Sequence, residues 1–299
     1  MKLSELPYKQ IVIKGDQIVN EYERALEWLN TLGFQYSKNR FGAYHKSIKN
    51  SLKEITKEKN FDKKLKAINE YLNSYFEAFE LIRLRNAFNT KKHEEYIEQM
   101  KFVISGQPFR NIAKNDHSRN YSFELTLAAR LINAGYATYV DQIADIVSEI
   151  EGRTVYFECK RVKSINNLKK NVSSANEQLK KRMQNSKSTG AKGISALNIT
   201  DVLNPQSEFI FTSSCGNLKR THSNEMNEFM RSREKELRTK ASKNILGIIC
   251  EYLQCGLIIK DKLFDINICR GIKFLQYDDS YSSDKFTNEI LKKISNQGI

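Results

Sequence analysis

Two apolar runs joined by a turn constrain this chain most, because together they predict a β-hairpin that carries acidic side chains. The first run, residues 143–147, contains Asp145, and the second run spans residues 153–162. Glu151-Gly152 lies between them and has the composition of a tight turn. If the runs pair across this turn, Asp145 is brought beside Glu158.

The second run also predicts which side chains share a face. It is rich in aromatic and β-branched residues, so it favours a strand in which Glu158 and Lys160, two positions apart, point the same way. The negative charges of Asp145 and Glu158 would repel each other unless a cation lies between them. Two carboxylates with room for waters and a phosphate are typical of a Mg²⁺ site.

The net charge of +14 is concentrated after this hairpin. Residues 151–200 hold eleven Lys and Arg against three acidic residues, and therefore carry +8 of the +14. A basic excess beside a carboxylate pair favours a polyanion held next to a metal, although a solvated helix face is the other interpretation. The candidate nucleic-acid contacts are Arg161, Lys163, Lys169, Lys170, Lys180, Lys181 and Arg182.

Hydropathy and cysteine content narrow the class of protein. No run approaches the roughly 18 apolar residues of a membrane span, and residues 1–7 lack the apolar core of a secretory signal. We therefore expect a cytoplasmic protein without a membrane partner. The five cysteines are odd in number and form no Cys-x-x-Cys pair, which predicts reduced thiols rather than disulfides or a zinc site.

The pattern changes along the chain and suggests two regions. Helical periodicity is found at residues 18–32, 44–56, 61–85 and 92–103. A break at 105–108 follows, and the pattern then becomes helix, three short strands, basic helix and strand, with a further helix at 223–240 and helix and strands at 245–276. This predicts a mainly helical region, 1–115, and an α+β or α/β domain, 116–299.

Two polar side chains lie on the helices that flank the strands. Glu124 shares a helical face with apolar residues three, four and seven positions later, where a carboxylate needs compensation. The other interpretation is a first-turn acid favoured by the helix dipole. Gln178 lies at the edge of the apolar stripe 168–183, and it would either face the metal site or nucleic acid, or be an ordinary boundary glutamine.

Together these residues resemble the PD-(D/E)XK nuclease superfamily. The resemblance is carried by Glu124 in Phe-Glu-Leu-x-Leu-Ala-Ala-Arg-Leu, Asp145 in Ala-Asp-Ile-Val, Glu158-x-Lys160 at the end of a strand, and Gln178 in Asn-Glu-Gln-Leu. It covers roughly residues 118–200, with 193–199 as the next expected strand. The chain departs from the motif at Ala144, where the superfamily often has proline.

The resemblance implies a fold and a set of catalytic residues. The fold would be a restriction-endonuclease-like α-β-β-β-α-β core with a mixed central sheet. Asp145, Glu158 and the backbone carbonyl of Cys159 would bind Mg²⁺, for which Mn²⁺ can substitute. Lys160 would orient the attacking water, Glu124 would act through water or hold a second metal, and Gln178 would complete the catalytic set.

The resemblance also implies a function, a metal-dependent hydrolysis of phosphodiester bonds with DNA favoured over RNA. Nucleases of this kind with an added helical region look like bacterial defence effectors. Residues 1–115 would then recognise substrate, form a homo-oligomer or bind a regulatory partner.

Two alternatives remain open. Arg110 and His117 are separated by six residues, a spacing also found in HEPN ribonucleases, which cut RNA without a metal. The third class is a non-catalytic nucleic-acid-binding or assembly protein with a vestigial nuclease core.

Overall fold

The computed structural model describes residues 15–91, 94, 96–108, 116–140, 144–186, 188, 190–260, 263–277, 281–295 and 297. These residues form two compact units that divide between Ala129 and Arg130. The boundary therefore falls inside a helix. The division by role at residues 115 and 116 stays a prediction.

The first unit, within residues 15–129, is helical as predicted. Its helices are α1 (Gly15–Thr31), α2 (Arg40–Lys57), α3 (Phe61–Phe88), α4 (Ile97–Ile104) and the greater part of α5 (His117–Asn133). The N-termini of α2 and α3 are capped by Asn39 and Asn60, whose side chains accept hydrogen bonds from backbone N–H groups that the helix leaves unpaired. The end of α4 matches the predicted break at 105–108.

A buried network of ion pairs ties the helices of this unit together. Glu77 on α3 accepts from Arg40 Nη1 at 2.9 Å and from Arg119 Nε at 2.7 Å, and Arg119 Nη1 lies 2.7 Å from Asp116 Oδ2. Arg119 also donates to the Tyr44 hydroxyl at 2.9 Å. Because these charges are paired in the interior, we interpret the network as structural.

The second unit, within residues 130–297, is built on one mixed sheet. Its strands are β1 (Ala137–Tyr139), β2 (Ile146–Ile150), β3 (Arg153–Arg161), β4 (Lys192–Asn198), β5 (Phe209–Thr212), β6 (Ile245–Lys260) and β7 (Leu263–Gln276). Its helices are α6 (Leu168–Asn185), α7 (Thr200–Leu203), α8 (Cys215–Ser232), α9 (Glu234–Leu237) and α10 (Tyr281–Ser295). The mixed α/β class with a helical N-terminal region is thus confirmed.

The order of strands places β3 inside the sheet. β1, β2 and β3 are antiparallel neighbours, and β4 lies parallel to β3. β6 pairs in parallel with β4 through residues 245–251 and with β5 through residues 255–258, and it is antiparallel to β7 along its length. The C-terminal end of β3 is therefore flanked by β4 on one side and by the start of β2 on the other.

The packing of α6 follows its predicted apolar stripe. Leu168, Val172, Ala175 and Leu179 are buried. Leu168 and Val172 join a core with Leu197 of β4 and Ile248 of β6, to which α8 and α9 also contribute. This packing determines which residues of α6 lie along the edge of the stripe beside the sheet.

The region from 245 to 276 differs from the prediction. Helix was expected there together with strands, but the described residues of this range form the long antiparallel pair β6 and β7. The sequence of β6 is almost continuously apolar, so neither a two-residue nor a 3.6-residue period was available to separate strand from helix. β5 and α10 were not predicted.

Within the described residues, no helix has the length and hydropathy needed to cross a membrane.

Candidate functional site

The β2–β3 hairpin has the turn and register that the sequence predicts. Glu151 and Gly152 have φ values of 49° and 72°, the left-handed backbone that a two-residue hairpin loop uses. From this turn the pairing runs from Ile150 with Arg153 to Ile146 with Phe157. Continued by one step, the register places Asp145 opposite Glu158.

Asp145 precedes the first residue of β2 and lies beside the part of β3 that β2 does not pair with. Its Oδ2 accepts a hydrogen bond of 2.6 Å from the backbone N–H of Cys159. A strand edge beyond its partner exposes backbone donors, and here a carboxylate satisfies one of them. The side chain of Asp145 is thereby held at the C-terminal end of β3 and remains 23% exposed.

Glu158 and Lys160 meet Asp145 at this position. Lys160 Nζ lies 3.6 Å from Glu158 Oε2 and 3.9 Å from Asp145 Oδ2. The Glu158 side chain is 0% exposed, whereas that of Lys160 is 23% exposed. The structure therefore brings the two carboxylates and the lysine together, with one carboxylate in the interior and the ammonium group partly open to solvent.

The two carboxylate oxygens of Glu158 have different surroundings. Oε1 accepts a hydrogen bond from Arg182 Nε on α6. Oε2 is buried, and among the described residues it has no hydrogen-bond donor, only the ion pair with Lys160. A buried carboxylate oxygen with unused acceptor capacity is what a cation or a water would occupy.

The charges around Glu158 act on its pKa in opposite directions. Burial raises the pKa of its carboxyl above the usual value, and the negative charge of Asp145 raises it further. The hydrogen bond from Arg182 and the positive charges of Lys160 and Arg182 lower it. Two carboxylates and two cations thus occupy the same small region, and their formal charges cancel.

Gln178 lies on the same side of α6 as Arg182, one helical turn earlier. Its Oε1 is buried and has no hydrogen-bond partner among the described residues. The structure therefore gives Gln178 an unsatisfied acceptor, whereas its participation in catalysis stays a prediction.

The structure places two of the expected phosphate contacts in ion pairs within the chain, and their contact with nucleic acid stays a prediction. Arg182, expected on a positive surface adjoining the acids, pairs with Glu158 because its helical position faces the sheet. Arg161 has a side chain that is 4% exposed, and its Nε lies 2.6 Å from Asp201 Oδ2. Arg161 follows Lys160 on the strand, so its side chain points to the opposite face.

The other candidate phosphate contacts are exposed, as expected. They are Lys163, Lys169, Lys170, Lys180 and Lys181. Lys169 and Lys180 are eleven residues apart, about three helical turns, and therefore share one side of α6. Lys170 and Lys181 share the side opposite to the buried stripe, and Lys169 and Lys180 lie on the flank of the stripe away from Arg182, so these four lysines of α6 form an outer basic face that is separate from Arg182.

Glu124 lies about two turns into α5, which begins at His117. The interpretation as a first-turn acid is therefore wrong. The residue is half-buried and belongs to the helical unit. Its role as a metal ligand stays a prediction.

The alternative RNase pair is described only in part. His117 is exposed at the start of α5, and Arg110 lies outside the described residues. The metal-independent alternative therefore stays untested.

Asn176 is a buried polar residue that the sequence analysis did not single out. Its Oδ1 accepts from Ser195 Oγ of β4 at 2.7 Å, and its Nδ2 donates to Thr239 O at 2.7 Å. It links α6 to the sheet one turn before Lys180. The signal in the sequence was an amide next to Ala175 on the apolar stripe.

The donor set fits a hard divalent cation. Asp145 and Glu158 supply carboxylate oxygens, and Glu158 Oε2 has acceptor capacity left. In the part of the chain that the structure describes, no group of three or more His, Cys, Asp or Glu side chains is placed to hold a metal. Mg²⁺ suits such a site, because it keeps several waters and binds through one or two carboxylates.

Comparisons of the chain with protein-family models, with curated proteins and with solved structures each find no match. The geometry of this site is therefore the basis for a proposed function.

Proposed function

We propose that this chain is a Mg²⁺-dependent nuclease with a restriction-endonuclease-like core. The observation that carries the proposal is the position of Lys160, whose Nζ lies within 4.0 Å of both Glu158 Oε2 and Asp145 Oδ2. A lysine between two carboxylates, one of them buried with an unsatisfied oxygen, is an arrangement suited to phosphodiester hydrolysis.

The topology around the site supports the proposal. Along the chain, α5, β1, β2, β3, α6 and β4 give the order α-β-β-β-α-β, with the first three strands antiparallel and β4 parallel to β3. The same order of elements is implied by the resemblance to the PD-(D/E)XK superfamily, and it supports the proposed core. The acids and the lysine lie at the end of β3 and the start of β2, where that family places its catalytic residues.

Asp145, Glu158 and the backbone carbonyl of Cys159 would hold the cation. The chemistry that a bound Mg²⁺ supplies at such a site is stabilisation of the charge that develops on the phosphoryl oxygens. Mn²⁺ has similar ligand preferences and would substitute.

Lys160 would provide a hydrogen-bond donor and a positive charge beside the reacting phosphate. Its ammonium group is partly exposed, so a water and a phosphate can both approach it. There it would orient the attacking water and stabilise the negative charge on the phosphate in the transition state. The outer basic face of α6 would contact neighbouring phosphates, which adds affinity without reading sequence.

Preference for DNA and a role in bacterial defence come from the resemblance alone. We propose DNA as the substrate class and bacterial defence as the biological role on that basis. The helical region would serve recognition, homo-oligomer formation or binding of a regulatory partner.

The test is cleavage by the purified protein of plasmid, linear duplex, single-stranded DNA and RNA in Mg²⁺, Mn²⁺ or EDTA. We expect cleavage with either metal and none in EDTA. Asp145→Asn and Glu158→Gln should abolish it, and Lys160→Met should reduce turnover by about 100-fold or more. Lys235→Met, which removes an exposed charge from α9 and is not among the proposed phosphate contacts, is the matched control and should retain activity.

The same assay distinguishes the alternatives. Cleavage of RNA that persists in EDTA and disappears with Arg110→Ala or His117→Ala would replace this proposal with the metal-independent RNase. Binding of nucleic acid without cleavage under every condition would favour the non-catalytic class.

A further inference from the structure

The carboxylate pair has its own counter-ions within the chain. Glu158 Oε1 is bonded to Arg182 Nε, and Glu158 Oε2 lies 3.6 Å from Lys160 Nζ, which also lies 3.9 Å from Asp145 Oδ2. Lys160 belongs to the proposed catalytic set. Arg182 has no role in that set, yet it contacts the most buried carboxylate of the site.

Arg182 belongs to α6, whereas the two acids lie on β3 and just before β2. Solvent screens its ion pair with Glu158 less than it would screen the ion pair of a surface arginine. The Glu158 side chain is 0% exposed, and that of Arg182 is 24% exposed. A pair of charges at a buried carboxylate interacts strongly, because little water lies between them. The neighbouring Lys180 and Lys181 are exposed, so the contact with Glu158 distinguishes Arg182 from the other cations of α6.

We propose that Arg182 is a resident counter-cation of Glu158 that lowers the affinity of the free protein for divalent cations. The inference rests on the proposed function, because it takes Glu158 and Asp145 as the cation ligands. The positive charge of Arg182 would neutralise negative charge that a divalent cation would otherwise neutralise. A divalent cation would therefore bind a site whose formal charges already cancel.

Electrostatics gives the direction of the effect. With Arg182 present, the site of two carboxylates and two cations has no net attraction for a further positive charge. With a neutral residue in its place, the site carries one net negative charge. Even at the dielectric constant of water, about 80, one charge about 6 Å from a divalent ion changes the affinity for that ion by about tenfold, so tenfold is the smallest gain expected here.

The competing expectation is that Arg182 only holds Glu158 in place. In that case a neutral substitution would weaken cation binding, because the carboxylate would lose its orientation. The two mechanisms therefore predict opposite signs for the same measurement.

The experiment measures Mn²⁺ binding to the full chain without nucleic acid, from the electron paramagnetic resonance signal of free Mn²⁺. We expect Arg182→Met to bind Mn²⁺ about tenfold more tightly than the wild type or better. Arg182→Lys, which keeps the charge, should stay near the wild type, and Lys181→Met, the same charge change on the outer face, should do so too. Binding by Arg182→Met that is unchanged or weaker overturns the proposal.

A second readout covers the case in which Arg182→Met is unstable. Without Arg182, the buried Glu158 carboxylate loses a partner, so the apo variant should melt at a lower temperature than the wild type. Mn²⁺ should then raise the melting temperature of the variant more than that of the wild type, because ligand that binds the folded state stabilises it. Arg182→Gln repeats both measurements with a shorter neutral side chain, and an equal or smaller Mn²⁺ shift in both variants contradicts the proposal.

Ligand variants separate this inference from the proposed function. Glu158→Gln combined with Arg182→Met should lose the gain in Mn²⁺ affinity, and retention of the gain would show that the ion binds elsewhere. If Arg182→Met gains affinity but neither protein cleaves nucleic acid, the nuclease proposal fails and this inference stands. If the wild type cleaves as proposed but Arg182→Met shows no gain, the inference alone fails.

Discussion

His222 gives the clearest quantitative prediction, because its ring is buried in the sheet unit. It lies on α8 with a side chain that is 0% exposed, and it stacks on the Tyr252 ring with centroids 4.6 Å apart. Its Nε2 lies 3.0 Å from the carbonyl oxygen of Tyr252 and donates to it when protonated. Burial, together with a smaller effect of the positive charge of Lys273, lowers the pKa of His222 from 6.5 to about 4, although the hydrogen bond with the Tyr252 carbonyl oxygen raises it.

The shift makes stability depend on pH in a defined direction. Between pH 6.5 and about 4 the unfolded chain binds a proton at His222 that the folded chain does not, so acid favours unfolding. The contribution is complete above pH 6.5 and is lost as pH falls towards the folded pKa. The slope is about 1.4 kcal/mol per pH unit, and the whole window amounts to about 3 kcal/mol.

The assay compares the wild type with His222→Phe, which keeps an aromatic ring against Tyr252 and cannot titrate. The single tryptophan, Trp28, lies in the helical unit, so fluorescence would report the wrong part of the chain. Hydrogen exchange of the β6 amides, followed by mass spectrometry from pH 7 to pH 5, reports opening of the sheet. We expect the wild type to lose protection more steeply than His222→Phe.

His45→Gln is the matched control, because His45 lies in the helical unit and is paired with Glu23 at 3.1 Å. It should leave the pH dependence of the β6 amides unchanged. Equal pH slopes in the wild type and His222→Phe would refute the reasoning, since they would show that the buried ring takes up a proton without opposing the fold.

Three further predictions follow from packing and charge. Gly247→Ala should lower the free energy of unfolding, measured by urea denaturation, by about 1–3 kcal/mol, because an added Cβ would lie 2.3 Å from the Leu275 carbonyl oxygen. In the control Gly216→Ala, the added Cβ would lie 3.8 Å from the nearest atom, so this variant should leave the free energy of unfolding unchanged. Glu77→Gln should destabilise the helical unit by about 3 kcal/mol, because two buried arginines lose a shared carboxylate. A melting temperature that is unchanged in circular dichroism would contradict this prediction. In the native protein a thiol reagent should modify Cys215 first, because the other four cysteines are buried, and faster labelling of any of them would contradict this burial.

The hairpin and α6 could be predicted because each has a clear period. Alternation along β3 placed Glu158 and Lys160 on one face, and the turn composition at 151–152 gave the pairing with Asp145. The apolar stripe of α6 likewise gave its buried face. Each of these inferences needs only neighbours within about 15 residues, so the sequence contains the whole argument.

The surroundings of single charges could not be predicted in the same way. Arg182 and Lys181 are adjacent in a basic segment, and only the packing of α6 on the sheet decides that one meets Glu158 and the other meets solvent. Arg161 similarly finds Asp201 through a contact forty residues away. The prediction for residues 245–260 was wrong for another reason. A segment that is apolar on both faces has no hydrophobic period that separates strand from helix.

The register of the β2–β3 ladder also limits how the gene for this chain can change. Each pair from Ile150 with Arg153 to Ile146 with Phe157 is counted from the same two-residue turn, and Asp145 meets the end of β3 only at that count. Inserting one residue in either strand would turn half of the ladder over and move the carboxylate to the other face. Insertions that preserve the site must therefore add two residues to each strand, matched across the turn, so length variation among descendants of this chain should be even-numbered and symmetric about residues 151–152.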